Sequence, residues 1–136
     1  RNLSAKPGPG SLCPVDIGER AHAEQWMDWQ QTTSQPDITF VFWAVVRDLK
    51  ANQDPEKLAA ATSRAARAWQ VVDEHLGDRD YLCGDHLTMA DIPLGAAVWR
   101  WYNMKIERPA LANVEAWHER LQQRPGFKKY VMLPLT

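Results

Sequence analysis

A chain of 136 residues with 16 Lys+Arg, 17 Asp+Glu and a net charge of -1 is long enough for one domain with a single substantial core, with no need for metal or disulfide staples. The near balance of charge excludes a basic field suited to nucleic acid or anionic lipid and an acidic tail suited to cations, so neither a nucleic acid nor a membrane is expected as partner. Cys13 and Cys83 form neither a disulfide framework nor a zinc pattern, and no apolar run approaches the ~20 residues of a membrane span, so a soluble, cytoplasmic protein without metal is expected.

The chain opens on Arg1 rather than methionine, as a fragment would, and shows no basic-then-apolar secretory signal. Residues 7–14, PGPGSLCP, cannot propagate a helix or strand and read as a linker, which separates residues 1–14 from a body over residues 15–136. Asp16 with Glu19 three positions on forms a capping-box variant that starts a helix reaching about Gln35. Its Ala23, Trp26, Met27 and Trp29 sit at helical spacing, with Asp28, Thr32 and Gln35 as a polar stripe beside them. Pro36 should interrupt or kink this helix, after which ITFVFWAVVRDL is apolar nearly all round. Such a segment fits a buried helix or a strand, and the neighbouring helices favour the helix.

Asp54, Pro55 and Glu56 supply an N-cap, an N1 proline and an early acid for the clearest helix, which carries Leu58, Thr62, Ala65, Trp69, Val72 and Leu76 on one face and stops at Gly77. The stretch GDHLTMADIPLG then crowds polar side chains as a catalytic loop would. Its spacing favours a structural role: Thr88 as N-cap accepting from the Asp91 N–H, the Asp91 carboxylate reaching back to Thr88, and Leu87 with Ile92 as a hydrophobic staple. This helix runs to about Asn103 despite Pro93 near its start. Asn113 or a neighbour opens a fifth helix with Val114, Trp117 and Leu121 on one face, and Pro125 ends it before a short last turn through Phe127 and Tyr130. The expectation is an all-α bundle of five to six helices. His22, His75, His86 and His118 have no triad or metal pattern around them and read as surface residues.

The segment DYLCGDHLTMADIPLG, followed by RPALANVEAWHERLQQRPGF, resembles the C-terminal helical domain of soluble bacterial glutathione S-transferases of the theta-, beta- or nu-like kind. The matching residues are Tyr81, Leu82, Gly84 and Asp85, then Thr88 and Asp91, then Pro109, Trp117, Arg124, Pro125 and Phe127, with EQWMDWQQTT extending the likeness to the first helix. By this resemblance, residues 1–6 correspond to the last turns of a thioredoxin-like N-terminal domain that otherwise lies outside the sequence and would carry the catalytic residue. Hence no catalytic residue is assigned in this chain, and the 136 residues alone are expected to be inactive. The resemblance implies glutathione as substrate, an electrophilic small molecule as second substrate, a homodimer and a role in detoxification. It places Asp28, Thr32 and Gln35 at the glutathione, and Phe40, Trp43 and Trp101 around the electrophile. Two other functions fit a helical chain of this kind: a non-catalytic transferase-like assembly domain of a translation-associated protein, and an unrelated helical module that binds a small apolar ligand.

Overall fold

The computed structural model describes residues 12–136, so the expectation for the start of the chain lies, over residues 1–11, outside the described residues. The described chain is all-α. Six α-helices follow one another: α1 (Ile17–Trp29), α2 (Gln35–Val45), α3 (Pro55–Leu76), α4 (Asp91–Asn103), α5 (Ala112–Gln122) and the short α6 (Pro125–Tyr130). A π-helical turn, Gln30–Ser34, joins α1 to α2, and a 3-10 turn, Lys50–Asn52, precedes α3.

The helix starts follow local chemistry. Asp16 accepts from the Glu19 N–H at 2.9 Å, and Asp54 accepts from the N–H groups of Glu56 and Lys57 at 3.0 and 3.1 Å. Gly77, at φ +45°, ends α3 where the sequence placed its stop. Pro36 does not end the run of helical turns: it sits at the start of α2, directly after the π turn. A proline ring collides with the carbonyl four residues back, and the wider π turn just before it makes room while the helix continues, the Gln35 N–H reaching back to the Gln30 carbonyl.

Helix α2 packs along α3, and Arg64 of α3 grips Asp37 of α2 with its Nε 3.1 Å from both carboxylate oxygens and Nη2 2.7 Å from Oδ1. The core is built on three fully buried tryptophans, Trp69 of α3, Trp101 of α4 and Trp117 of α5. Gly95 lets α4 press against its neighbours, since a Cβ there would lie 3.1 Å from Leu121 and 3.2 Å from Phe127. Cys13 and Pro14, part of the expected linker, are buried, and the Leu12 carbonyl accepts from the Met89 N–H at 2.8 Å, so this end of the segment is docked on the bundle.

Two of the four histidines differ from the surface expectation. His118 is buried, stacked on Tyr102 with ring centroids 5.2 Å apart, and burial lowers its pKa to about 4. His75 is half-buried, with Nε2 2.7 Å from the Leu82 carbonyl, and burial lowers its pKa as well. His22 and His86 are exposed.

Candidate functional site

The polar cluster at the start of α4 is a closed hydrogen-bond hub. Asp91 is buried, and its Oδ1 accepts from the Leu82 N–H and from Trp117 Nε1, both at 3.0 Å. Its Oδ2 accepts from the Thr88 N–H at 2.8 Å and from the Thr88 hydroxyl at 3.3 Å. Burial raises the Asp91 pKa, and these four donors act against that rise. The reciprocal bond differs from the sequence expectation: the Thr88 hydroxyl accepts from the Ala90 N–H at 3.3 Å, while the Asp91 N–H goes to the Thr88 carbonyl at 3.1 Å. All four acceptor positions of the carboxylate are therefore spent on this chain's own donors, which suits a structural post and leaves no lone pair for a substrate.

A similar device starts α5. Asp73 of α3 accepts from the N–H groups of Asn113 and Val114, each at 2.9 Å, so the cap comes from another helix. Asn113 does not cap; its side-chain amide donates to the Asp73 carbonyl at 3.1 Å.

The residues expected at glutathione lie along the α1–α2 junction. Asp28 and Thr32 are exposed, and the Thr32 hydroxyl donates to the Asp28 carbonyl at 2.8 Å. Gln35 is half-buried, accepts from Gln30 Nε2 and donates to the Thr39 hydroxyl at 2.8 Å. The π turn, Gln30–Ser34, holds Thr32 itself and ends just before Gln35, so the stripe drawn at regular α spacing is offset there. Such turns recur at functional sites.

The aromatic residues expected around an electrophile do not share one cavity. Phe40 faces a cleft between α2 and α3 that Lys57 and Arg64 also line. Trp43, 46% exposed, lines a groove between α2 and α4. Trp101 reaches neither: it is fully buried, its ring 6.5 Å from that of Trp69, and it fills the core. Helical periodicity explains this, because Trp101 stands at i+7, i+4 and i+3 from the buried Leu94, Ala97 and Val98. The α2–α4 groove instead gathers Phe42, Arg47 and Arg100 beside Trp43. Among the described residues, no group of three or more His, Cys, Asp or Glu side chains could hold a metal ion.

Residues 55–120, from the first residue of α3 into α5, match the family described as Glutathione S-transferase, C-terminal domain. Over its whole length the chain is 38% identical, with a TM-score of 0.93, to the theta class glutathione S-transferase of Xanthomonas axonopodis pv. citri solved with glutathione bound, of which it covers 71%. The chain belongs to the glutathione transferase family. It is also 25% identical over 136 residues to glutathione S-transferase GstB of Escherichia coli K12, covering 100% of this chain and 65% of that protein. It is 30% identical over 135 residues to probable elongation factor 1-gamma 2 of Arabidopsis thaliana, covering 95% of this chain and 32% of that protein. The chain thus spans about two thirds of the length of GstB. The matched residues take in both the Asp91 hub and the Asp73 cap. No helix among the described residues is long and apolar enough to cross a membrane.

Proposed function

We propose that this chain is the helical half of a cytoplasmic glutathione S-transferase that conjugates glutathione to electrophiles in detoxification. The observation that carries the reading is the whole-length likeness to a theta class enzyme solved with glutathione. In this reading Asp28, Thr32 and Gln35 contact glutathione from the α1–α2 junction, where two exposed residues and one half-buried amide offer polar groups at the surface. Trp43 forms a wall for the electrophile in the α2–α4 groove, Phe40 lines the neighbouring α2–α3 cleft, and Trp101 stiffens the α4 wall from within the core. The thiolate-activating group lies in sequence outside these 136 residues, and two copies assemble with two-fold symmetry.

The experiment expresses the full reading frame that contains this chain and follows conjugation of glutathione to 1-chloro-2,4-dinitrobenzene. Turnover well above the uncatalysed rate is expected, with Thr32→Ala raising KM for glutathione and Trp43→Ala raising KM for the aryl halide. Sedimentation should report a dimer. Likeness to an elongation factor subunit over nearly the whole chain supports a second reading, an assembly domain without catalysis. Absence of both glutathione binding and turnover in the full reading frame would establish that reading in place of the first.

A further inference from the structure

Phe42 carries a guanidinium on either side of the α2–α4 groove, with the Arg47 Cζ 6.0 Å and the Arg100 Cζ 5.7 Å from its ring centroid. Among the described residues no ion pair holds either arginine, and residues 1–11 contain no Asp or Glu that could supply one. The groove encloses about 400 Å³, and no Asp or Glu side chain lines it. Two like charges on one ring, with no Asp or Glu side chain in the groove and no ion pair to the Thr136 end that also lines it, leave a local positive potential that a bound anion would relieve.

The other polar groups are matched to the same kind of ligand. Thr39 accepts from Gln35, which leaves its hydroxyl hydrogen free to donate, while the Gln35 carbonyl is taken by Gln30. The groove therefore offers donors: two guanidiniums, each able to fork onto a carboxylate, and one hydroxyl. Phe42 and the half-exposed Trp43 line the same groove and supply apolar aromatic surface that suits a flat aromatic ring.

We propose that the α2–α4 groove binds an aromatic ligand bearing a carboxylate, its ring against Phe42 and Trp43 and its carboxylate between Arg47 and Arg100. This rests on the electrophile-pocket reading and adds to it a substrate class: acidic aryl electrophiles are preferred over neutral ones. Glutathione also carries carboxylates, so the test has to separate the two sources of the anion.

The probes are 4-chloro-3-nitrobenzoate and its neutral counterpart 4-chloro-3-nitrobenzamide, titrated separately into the 136-residue chain with tryptophan fluorescence as readout. The benzoate is expected to bind about tenfold more tightly, the worth of one charge-assisted hydrogen-bond pair. Arg47→Gln and Arg100→Gln should each erode that preference, leave benzamide binding unchanged and preserve the far-ultraviolet circular dichroism of the helices. Equal or undetectable binding of the two probes overturns the proposal, as does a preference that survives both substitutions. Glutathione is titrated into the same variants: if its affinity falls while the benzoate preference stays, the guanidiniums serve glutathione and the proposal fails. A benzoate preference that depends on both arginines, in a protein whose full reading frame shows no glutathione turnover, would refute the transferase reading while supporting the anion site.

Discussion

Trp117 Nε1 donates to Asp91 Oδ1 over 3.0 Å, tying the middle of α5 to the first residue of α4. The same carboxylate satisfies the N–H groups of Leu82 and Thr88, so one buried side chain joins the turn before α4, the helix start and a neighbouring helix. Asp91→Ala would strand four buried donors at once: the Leu82 and Thr88 N–H groups, Trp117 Nε1 and the Thr88 hydroxyl. Each unsatisfied donor costs about 1–3 kcal/mol, and some would be recovered by relaxation or an admitted water, so a total loss of about 3 kcal/mol or more is expected. Thr88→Ala removes a weaker contact and should cost about 1 kcal/mol, the range of a lost cap. Urea unfolding of both variants measures this. Intact stability with abolished glutathione binding in the full reading frame would instead make Asp91 a ligand residue.

The cap that α3 lends to α5 is tested in the same way. Asp73→Ala leaves the Asn113 and Val114 N–H groups without their acceptor and should cost about 2 kcal/mol, the upper range for a cap. Asp73→Asn keeps a side-chain carbonyl in place and should cost less. Equal losses for the two substitutions would mean that packing of the residue, and not its acceptor, holds the helix start.

Burial of His118 makes stability depend on pH. Its folded pKa of about 4 lies below its ordinary value of 6.5, so the unfolded chain takes up the proton first as pH falls. The stability it allows is fully present above pH 6.5 and is lost as pH drops towards 4, by about 2 kcal/mol after allowance for solvent screening. The rings around it, Trp99, Tyr102 and Phe127, are uncharged near neutral pH and offer no carboxylate to the imidazolium. His75 works in the same direction, and Asp91, with its raised pKa, works in the opposite one. The informative quantity is therefore the difference between wild type and His118→Phe, which keeps an aromatic ring against Tyr102. The substituted protein should lose less stability between pH 6.5 and 4 than wild type, and parallel curves would refute the buried-histidine account.

The helix boundaries at Asp16, Asp54 and Gly77 were legible because each depends on neighbours within four residues. The π turn was not, because it reflects a contest between Pro36 and the packing of a helix that continues past it. His118 was misjudged by residue type: Val114, Trp117, His118 and Leu121 stand at i, i+3, i+4 and i+7, a buried pattern that a polar letter concealed. Family likeness put Trp101 in a pocket where periodicity put it in the core. The Phe42–Arg47–Arg100 groove could not be read at all, since α2 and α4 are brought together only by the tertiary fold.

The last expectation concerns catalysis by the 136 residues alone. Conjugation requires a group that holds glutathione's sulfur as thiolate, so a donor must be exposed where the tripeptide sits, or a low-pKa cysteine must stand in for it. Tyr102 is one side chain in this chain that could be asked to act, and burial pushes its pKa up to about 12 while its hydroxyl is shut away from solvent without a partner. Cys83 is half-buried, and burial raises its pKa too, which disfavours the thiolate. Both groups are tuned away from the task. The chain should give a helical circular dichroism spectrum and a cooperative unfolding transition, yet its rate with glutathione and 1-chloro-2,4-dinitrobenzene should match the uncatalysed one. If turnover does appear, Tyr102→Phe and Cys83→Ser identify its source: loss in either variant locates the activating group within the helical domain, and persistence in both points to a donor among the remaining residues.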